Sequence, residues 1–600
     1  MAEINTLGWI DYLVIAVMLC VSTGIGIYYR FSGGRQKTIQ EYFVANRSMS
    51  SVPVAIAMVA SFITAITLLA VSAENYTYGT QYVVINLSYL LGTSIICYGF
   101  LPVFYNLQAT SIYAYLEKRF GIRARMMISF IYWIQLLFYS GVVLCAPSLA
   151  LETTTGISKI ASIIFIGFVC ASYSSVGGIK AVLTTDVFQI LLMFAALFLI
   201  IGTAANDVGG LGQIWEIARQ GQRLEFYNID LDPTVKHTLW SVILGGFCKF
   251  LVLFGVNQVQ VQRMLAVKNM QSSQRAIWLS LPILILIMTT SCFSGLAIYS
   301  RYHNCDPFLK KRITSSDMLM PLYVMDTMSN IPGLPGLFVA GVFSASLSTI
   351  SSILNSLAAV MLEDFIKPFY RKCIGHEFSS AKSTSIAKVL VFTFGIFSIV
   401  LAFLAQFLGG LFQAYHTIFG ITSGPLLGIF TLGMGTESAT EGGAITGVLV
   451  AFSFLIWIAF GQPRSMSPKL PTTIGGCVNN VTNITMPILR NVTSFSKSTG
   501  DSSYFYLYRI SNLWYFPLGF LITFLLGLLV SNLSRFFIKN QNNKKEQLDI
   551  NLFFPAIARR IRSRRHNSAV EKSSPLDRRY SVNDVIHGKD NAANKIYTKR

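Results

Sequence analysis

Long apolar stretches, each about 20 residues and separated by short polar loops, repeat along almost the whole chain. A helix that crosses a bilayer needs about 20 mostly apolar residues. On that basis thirteen spans are expected, near residues 8–29, 51–73, 81–104, 126–149, 157–176, 181–205, 238–262, 276–300, 334–362, 384–409, 411–434, 441–460 and 513–534. The predicted fold class is an all-α polytopic membrane protein with a transmembrane unit over 1–534. A polar loop at 461–512 and a polar tail at 535–600 complete the chain. The first span lacks the basic leader and small-residue cleavage site of a signal peptide and is expected to stay in place.

Composition agrees with this pattern. Hydrophobic residues are 53% and charged residues 12%, against about 25% charge in soluble domains. Net charge is +20, which in a soluble protein would suggest nucleic acid. Here the excess lies in loops and in the tail, where it reads as membrane topology and anionic-lipid attraction, so no nucleic-acid partner is expected. With the N-terminus outside, 33 of the 47 Lys and Arg fall on the inner side, as the positive-inside rule requires. Three N-x-T sequons, at Asn480, Asn483 and Asn491, then share one outside loop and are candidate glycosylation sites. Of nine cysteines, Cys305 and Cys477 fall in outside loops and are a candidate disulfide pair. The rest lie mostly in apolar runs. The tail is expected to be disordered. Its run Arg559–Arg565 reads as a lipid contact or a solvated charge run, and Ser581, after Arg578-Arg579-Tyr580, as a kinase site.

Polar residues inside the spans carry the candidate chemistry. Span 2 places Ser61, Thr64 and Thr67 within seven residues. Span 9 holds seven hydroxyls and Asn355 between Ser344 and Ser356. Hydroxyls and carbonyls freed by a broken helix can coordinate Na⁺ without burying a net charge. The competing reading is that these residues only let helices pack closely. Asp186 lies just inside span 6, where a carboxylate is costly; it neutralises a cation, pairs with a base, or caps the helix. Lys249 sits mid-span in Phe247-Cys248-Lys249-Phe250, where it snorkels, pairs with a carboxylate or meets an anionic substrate. Asp11 reads as a solvated helix start. The run Asn257-Gln258-Val259-Gln260-Val261-Gln262-Arg263 reads as an amide-rich inner mouth. No nucleotide, metal-hydrolase or other enzyme motif is present, so an ATP-driven pump and an enzyme are not expected.

These same residues carry a resemblance. Gly177-Gly178-Ile179-Lys180-Ala181-Val182, Thr185-Asp186-Val187-Phe188-Gln189, Val256–Arg263, Gly333-Leu334-Pro335-Gly336 and Leu347–Ser356 resemble the sodium/solute symporter family. Cys145–Leu151 and Thr493–Lys497 point to its branch of multivitamin, monocarboxylate and iodide transporters, nearest the multivitamin members. The likeness runs from about Trp9 to Ser534. It implies a LeuT-like core of two inverted five-helix repeats, at about 51–205 and 238–434, with 8–29, 441–460 and 513–534 as extra helices. It implies Na⁺ as the co-transported ion and a small solute as the other ligand, at the plasma membrane. The Na⁺ ligands implied are the carbonyls of Ala60, Ile63 and Ala345 and the hydroxyls of Ser348 and Thr349, with Asp186 beside them. Phe62, Thr67, Phe254 and Asn257 fall where substrate contacts or gates are expected. The sequence departs from the family at Ala70-Val71-Ser72, where relatives tend to read Gly-Val-Pro, at Thr77 where an Arg is expected, and at Lys249 where no base is. These readings favour a Na⁺-coupled symporter of small organic anions. A channel, a non-transporting sensor, and a symporter of iodide or a sugar-like solute are the alternatives. The sequence leaves oligomeric state open.

Overall fold

The computed structural model describes residues 7–31, 38–376, 378–405, 411–461, 468–477, 505–538 and 549–572. The described residues are helical throughout, apart from loops and an isolated bridge between Met49 and Val267. The helices are α1 (Trp9–Phe31), α2 (Ile39–Val44), α3 (Ser51–Phe62), α4 (Ala65–Tyr78), α5 (Ile85–Ile95), α6 (Leu101–Leu107), α7 (Ala114–Arg119), α8 (Ile122–Thr155), α9 (Lys159–Val208) and α10 (Leu211–Gln220). They continue as α11 (Leu239–Phe250), α12 (Gln258–Met264), α13 (Met270–Tyr302), α14 (Leu319–Met328), α15 (Leu334–Val360), α16 (Lys367–Ile374), α17 (Ser380–Ala405), α18 (Leu411–Gly435), α19 (Glu441–Phe460), α20 (Tyr515–Ile538) and α21 (Pro555–Lys572).

Among the described residues ten helical segments are long and apolar enough to cross a membrane, and two bent pairs, each counted as one span, bring the number to twelve. At the expected fifth span, 157–176, the apolar helical segment is Lys159–Ser172, which is short of that length. It runs into the sixth as one helix, α9, broken at Gly178 (φ 59°, ψ −179°), a conformation essentially reserved for glycine. The bent pairs are α3 with α4, at 58°, and α11 with α12, at 56°. They are the first helices of the two expected repeats.

Sequence explains both breaks. After Phe62 the chain turns extended at Ile63 (φ −81°, ψ 113°), and Thr64 restarts a helix through a reciprocal cap with Thr67. In the second pair a π turn at Leu251–Gly255 is followed by Asn257, whose side chain accepts from Val259 N–H and caps α12. Such interruptions survive at membrane depth only where protein or a water-lined cavity satisfies the freed backbone. Here α15 supplies much of that protein: its apolar window is 94% buried, against 28% for α1, so α15 runs through the centre and α1 along the edge.

Asp11 is not solvated. Its Oδ1 accepts from the N–H groups of Gly333 and Gly336, at 2.9 Å each, and so clasps the first turn of α15 from α1. A carboxylate there also faces the positive end of the helix dipole. Gly336 is obligatory at this contact, since a Cβ would lie 2.6 Å from the Asp11 backbone.

Residues 468–477 lie across the body. Cys477 is disulfide-bonded to Cys305. Leu470 N–H donates to the Thr77 carbonyl, Asp306 N–H to the Thr473 carbonyl and Gly476 N–H to the Asn304 carbonyl. The buried Arg223 donates to the Pro471 carbonyl at 2.9 Å. The expectation of a disordered tail fails for residues 549–572, which form a short turn and α21, because Leu552, Phe553 and Ile561 find apolar cover. Asn480, Asn483, Asn491 and Ser581 lie outside the described residues.

Candidate substrate and ion site

Both helix breaks open toward the same interior region, where two small cavities share a wall made of Phe62, Tyr139 and Tyr415. Phe62 ends α3, so the ring that parts the cavities hangs from the break itself. It stands edge-on to Tyr89 (6.0 Å) and tilted on Phe254 (5.2 Å). Phe254 therefore backs Phe62 and is not among the residues that line either cavity.

The first cavity is lined by Thr64, Ile66 and Thr67 at the start of α4, and by Tyr82, Lys249, Phe412 and His416. Lys249 is 4% exposed. Its Nζ lies 3.4 Å from the Tyr82 hydroxyl, 3.2 Å from His416 Nε2 and 4.9 Å from the centre of the Tyr415 ring. His416 Nδ1 is 2.9 Å from the Phe412 carbonyl. Nδ1 thus donates, which leaves Nε2 as the acceptor for Lys249. All of these partners are neutral, and no described carboxylate pairs with Lys249. The hydroxyl of Thr67 is used in the cap of α4.

Over this cavity, toward the disulfide end, Glu74 Oε1 accepts from Lys236 Nζ (2.6 Å) and His237 Nε2 (2.7 Å). These bonds join α4 to the loop that leads into α11. The rings of Tyr82 and Phe412 lie 5.5 and 6.3 Å from His237.

The second cavity is lined by Ser61, Asn257, Gln260, Thr349 and apolar residues. The helix stops before N–H groups can reach the carbonyls of Ala60, Ser61 and Phe62. Thr349 Oγ1 is buried and has no hydrogen-bond partner, and the same holds for the hydroxyls of Ser344 and Ser346 on the same helix. Ala60, Ile63, Ala345 and Ser348 are fully buried. Ser348 donates to Asp186 Oδ1 at 2.5 Å, and Arg263 holds Asp186 Oδ2 at 3.0 Å and also donates to Ser352. Asp186 lies eight residues beyond the Gly178 break and is fully buried, so it pairs with a base and does not cap a helix.

The amide run is packed shut and forms no open mouth. Gln258 exchanges bonds with the Thr110 carbonyl and Ile112 N–H, Gln260 donates to the Met58 carbonyl and Ser61, and Gln262 donates to the Phe43 carbonyl. Asn257 Oδ1 accepts from Tyr132 as well as from its own helix. Sequence reasoning missed Tyr82, His416 and Glu74. The signal was present in two of them, since His416 and Glu74 are ionisable groups inside apolar helices.

A family model for the sodium:solute symporter family matches residues 42–451. The chain belongs to the sodium:solute symporter family. Na⁺ is accordingly the co-transported ion, and the relatives of this symporter are transporters, not enzymes. It is 47% identical to a putative sodium-dependent multivitamin transporter of Drosophila melanogaster, over 93% of each chain. It is 38% identical to sodium-coupled monocarboxylate transporter 1 of Xenopus laevis, covering 89% of this symporter and 87% of that protein. The rabbit (Oryctolagus cuniculus) sodium-dependent multivitamin transporter is 37% identical, with 88% and 83% covered. Among solved structures, the substrate-bound, outward-open form of a Na⁺-coupled sialic acid symporter superposes with a TM-score of 0.70 at 22% identity. The match covers 88% of this symporter and 98% of that chain, and it shows the shared fold.

Proposed function

We propose that this symporter uses Na⁺ to import a small organic anion, a monocarboxylate or a carboxylated vitamin such as biotin or pantothenate, across the plasma membrane. The observation that carries the reading is Lys249: a buried amine with only neutral partners, in a cavity between two broken helices. A carboxylate would meet Lys249, the Tyr82 hydroxyl and the positive end of α4, whose first turn lines the same cavity. The names of the relatives, multivitamin and monocarboxylate transporters, agree with such a cargo.

Na⁺ binds beside the second cavity, which Thr349 lines, to the carbonyls of Ala60, Ile63 and Ala345 and the hydroxyls of Ser348 and Thr349. The unpartnered Thr349 hydroxyl supports this, and Asp186 steadies Ser348 from behind. Binding there fixes the break that carries Phe62, and so couples ion and solute. Thirteen spans are inferred, with Lys159–Ser172 counted. The N-terminus lies outside: the positive-inside count and a disulfide on the sequon-bearing loop both support that side as the oxidising one.

Tracer uptake and current in expressing cells test the reading, with biotin, pantothenate, lactate, butyrate and iodide offered in Na⁺ and then in choline. A Na⁺-dependent inward current with one carboxylate is expected. Lys249→Met should lower apparent affinity for that carboxylate by about ten- to a hundred-fold, the loss of a charge-assisted contact, with surface amount retained. Unchanged affinity would remove the anion from the proposal. Thr349→Ala should sharply weaken apparent Na⁺ affinity at normal surface expression, and an ordinary Na⁺ curve would refute the ion site.

A further inference from the structure

The tail is joined to the transporter by a wedge of two phenylalanines. Phe554 packs edge-on against Phe100 at 5.1 Å, and its N–H donates to the Met434 carbonyl at 3.0 Å. Phe100 lies seven residues before Leu107, where that span ends, so the ring reaches about 10 Å below the helix end. Phe553 sits under the guanidinium of Arg119, which donates to the carbonyls of Gly433, Thr436 and Ala439. Nearby, Arg535 donates to the Glu437 carbonyl while the Glu437 carboxylate pairs with Arg564 of α21. Arg535 is followed by Phe536 and Phe537, which are 76% and 78% exposed at the last turn of α20. These rings lie at the end of a membrane-spanning helix.

The wedge thus sets α21 at the ends of two spans. Ile557, Ala558 and Ile561 pack inward with Ile550 and Phe553. Residues 559, 563 and 566 follow i, i+4, i+7 spacing and share the opposite face, with Arg560 and Arg562 on its two flanks. Arg559, Arg560, Arg562 and His566 are all exposed. No described carboxylate pairs with Arg559, Arg560 or Arg562.

We propose that this arginine face docks on anionic phospholipid headgroups of the adjoining leaflet, with Phe553 and Phe554 as its seat. Charge complementarity argues for the occupant, and the depth of the wedge argues for lipid over a soluble acidic protein. The inference is independent of what the transporter carries.

The test uses the full chain in nanodiscs of phosphatidylcholine alone or with about one quarter phosphatidylserine. Tryptic cleavage after Arg559, Arg560 and Arg562 is followed by mass spectrometry. Phosphatidylserine should slow cleavage about ten-fold or more, and salt near 0.5 M should undo the protection. A variant with Arg559, Arg560 and Arg562 all changed to Lys keeps charge and cleavage sites and should stay protected. Equal cleavage in both discs at low salt would overturn the proposal. So would protection that appears in neutral discs only on adding cell extract, since the partner would then be a protein.

Discussion

Charge buried in the membrane must be answered locally, and this chain answers it in two different ways. Asp186 and Arg263 answer each other at 3.0 Å, with Ser348 and Ser352 filling the remaining bonds. Removing one member of a buried pair leaves a naked charge, at about 3–5 kcal/mol, whereas removing both is far milder. Arg263→Met should therefore depress the melting midpoint of the solubilised protein severely, and adding Asp186→Asn should restore much of it. Equal losses in the single and double variants would argue that the unpaired Asp186 charge is not what destabilises. Lys249 is answered by neutral groups alone, which is why it reads as a place for cargo. The sequence made Asp186 and Lys249 conspicuous as single residues. It hid their partners, because Arg263 is 77 positions from Asp186 and both Tyr82 and His416 are 167 from Lys249. Asp11 misled for the same reason: its partners, Gly333 and Gly336, are backbone groups more than 300 residues away.

At the level of elements, function depends on where helices stop. The hydroxyl cluster of span 2 announced its break, since Thr64 and Thr67 are both components of a cap. The break in span 7 was less legible: its amides resemble a polar lining, and only packing turns them into bonds to three other segments. Glu74 escaped notice because span 2 was ended at residue 73, one position short. Gly178 is the third interruption, and it aims the helix that carries Asp186. An alanine there should cost about 1–3 kcal/mol of backbone strain and rotate Asp186 away from Ser348. The Na⁺ activation curve, corrected for surface amount, should shift to higher concentration. A curve that superposes on wild type would show that the helix tolerates a β-carbon.

The whole molecule is held at its two ends by different means. One end has the disulfide and the strap at 468–477, the other the phenylalanine wedge and α21. Cys305 and Cys477 close a loop of 172 residues, and cross-links of that kind are worth about 2–5 kcal/mol. Reductant, or Cys305→Ser, should lower the melting midpoint and speed amide exchange in 468–477 without touching 549–566. Exchange that rises equally at both ends would mean that the ends are not independent. The sequence placed these cysteines as a candidate pair but missed the wedge, since two phenylalanines in a polar tail form no periodic pattern. Between the two ends, Phe62 is a partition common to both chambers. In a carrier working as proposed, slippage, the passage of ion without cargo, would then be governed by the torsion of one aromatic side chain, and tightness of stoichiometry would become a rotamer population.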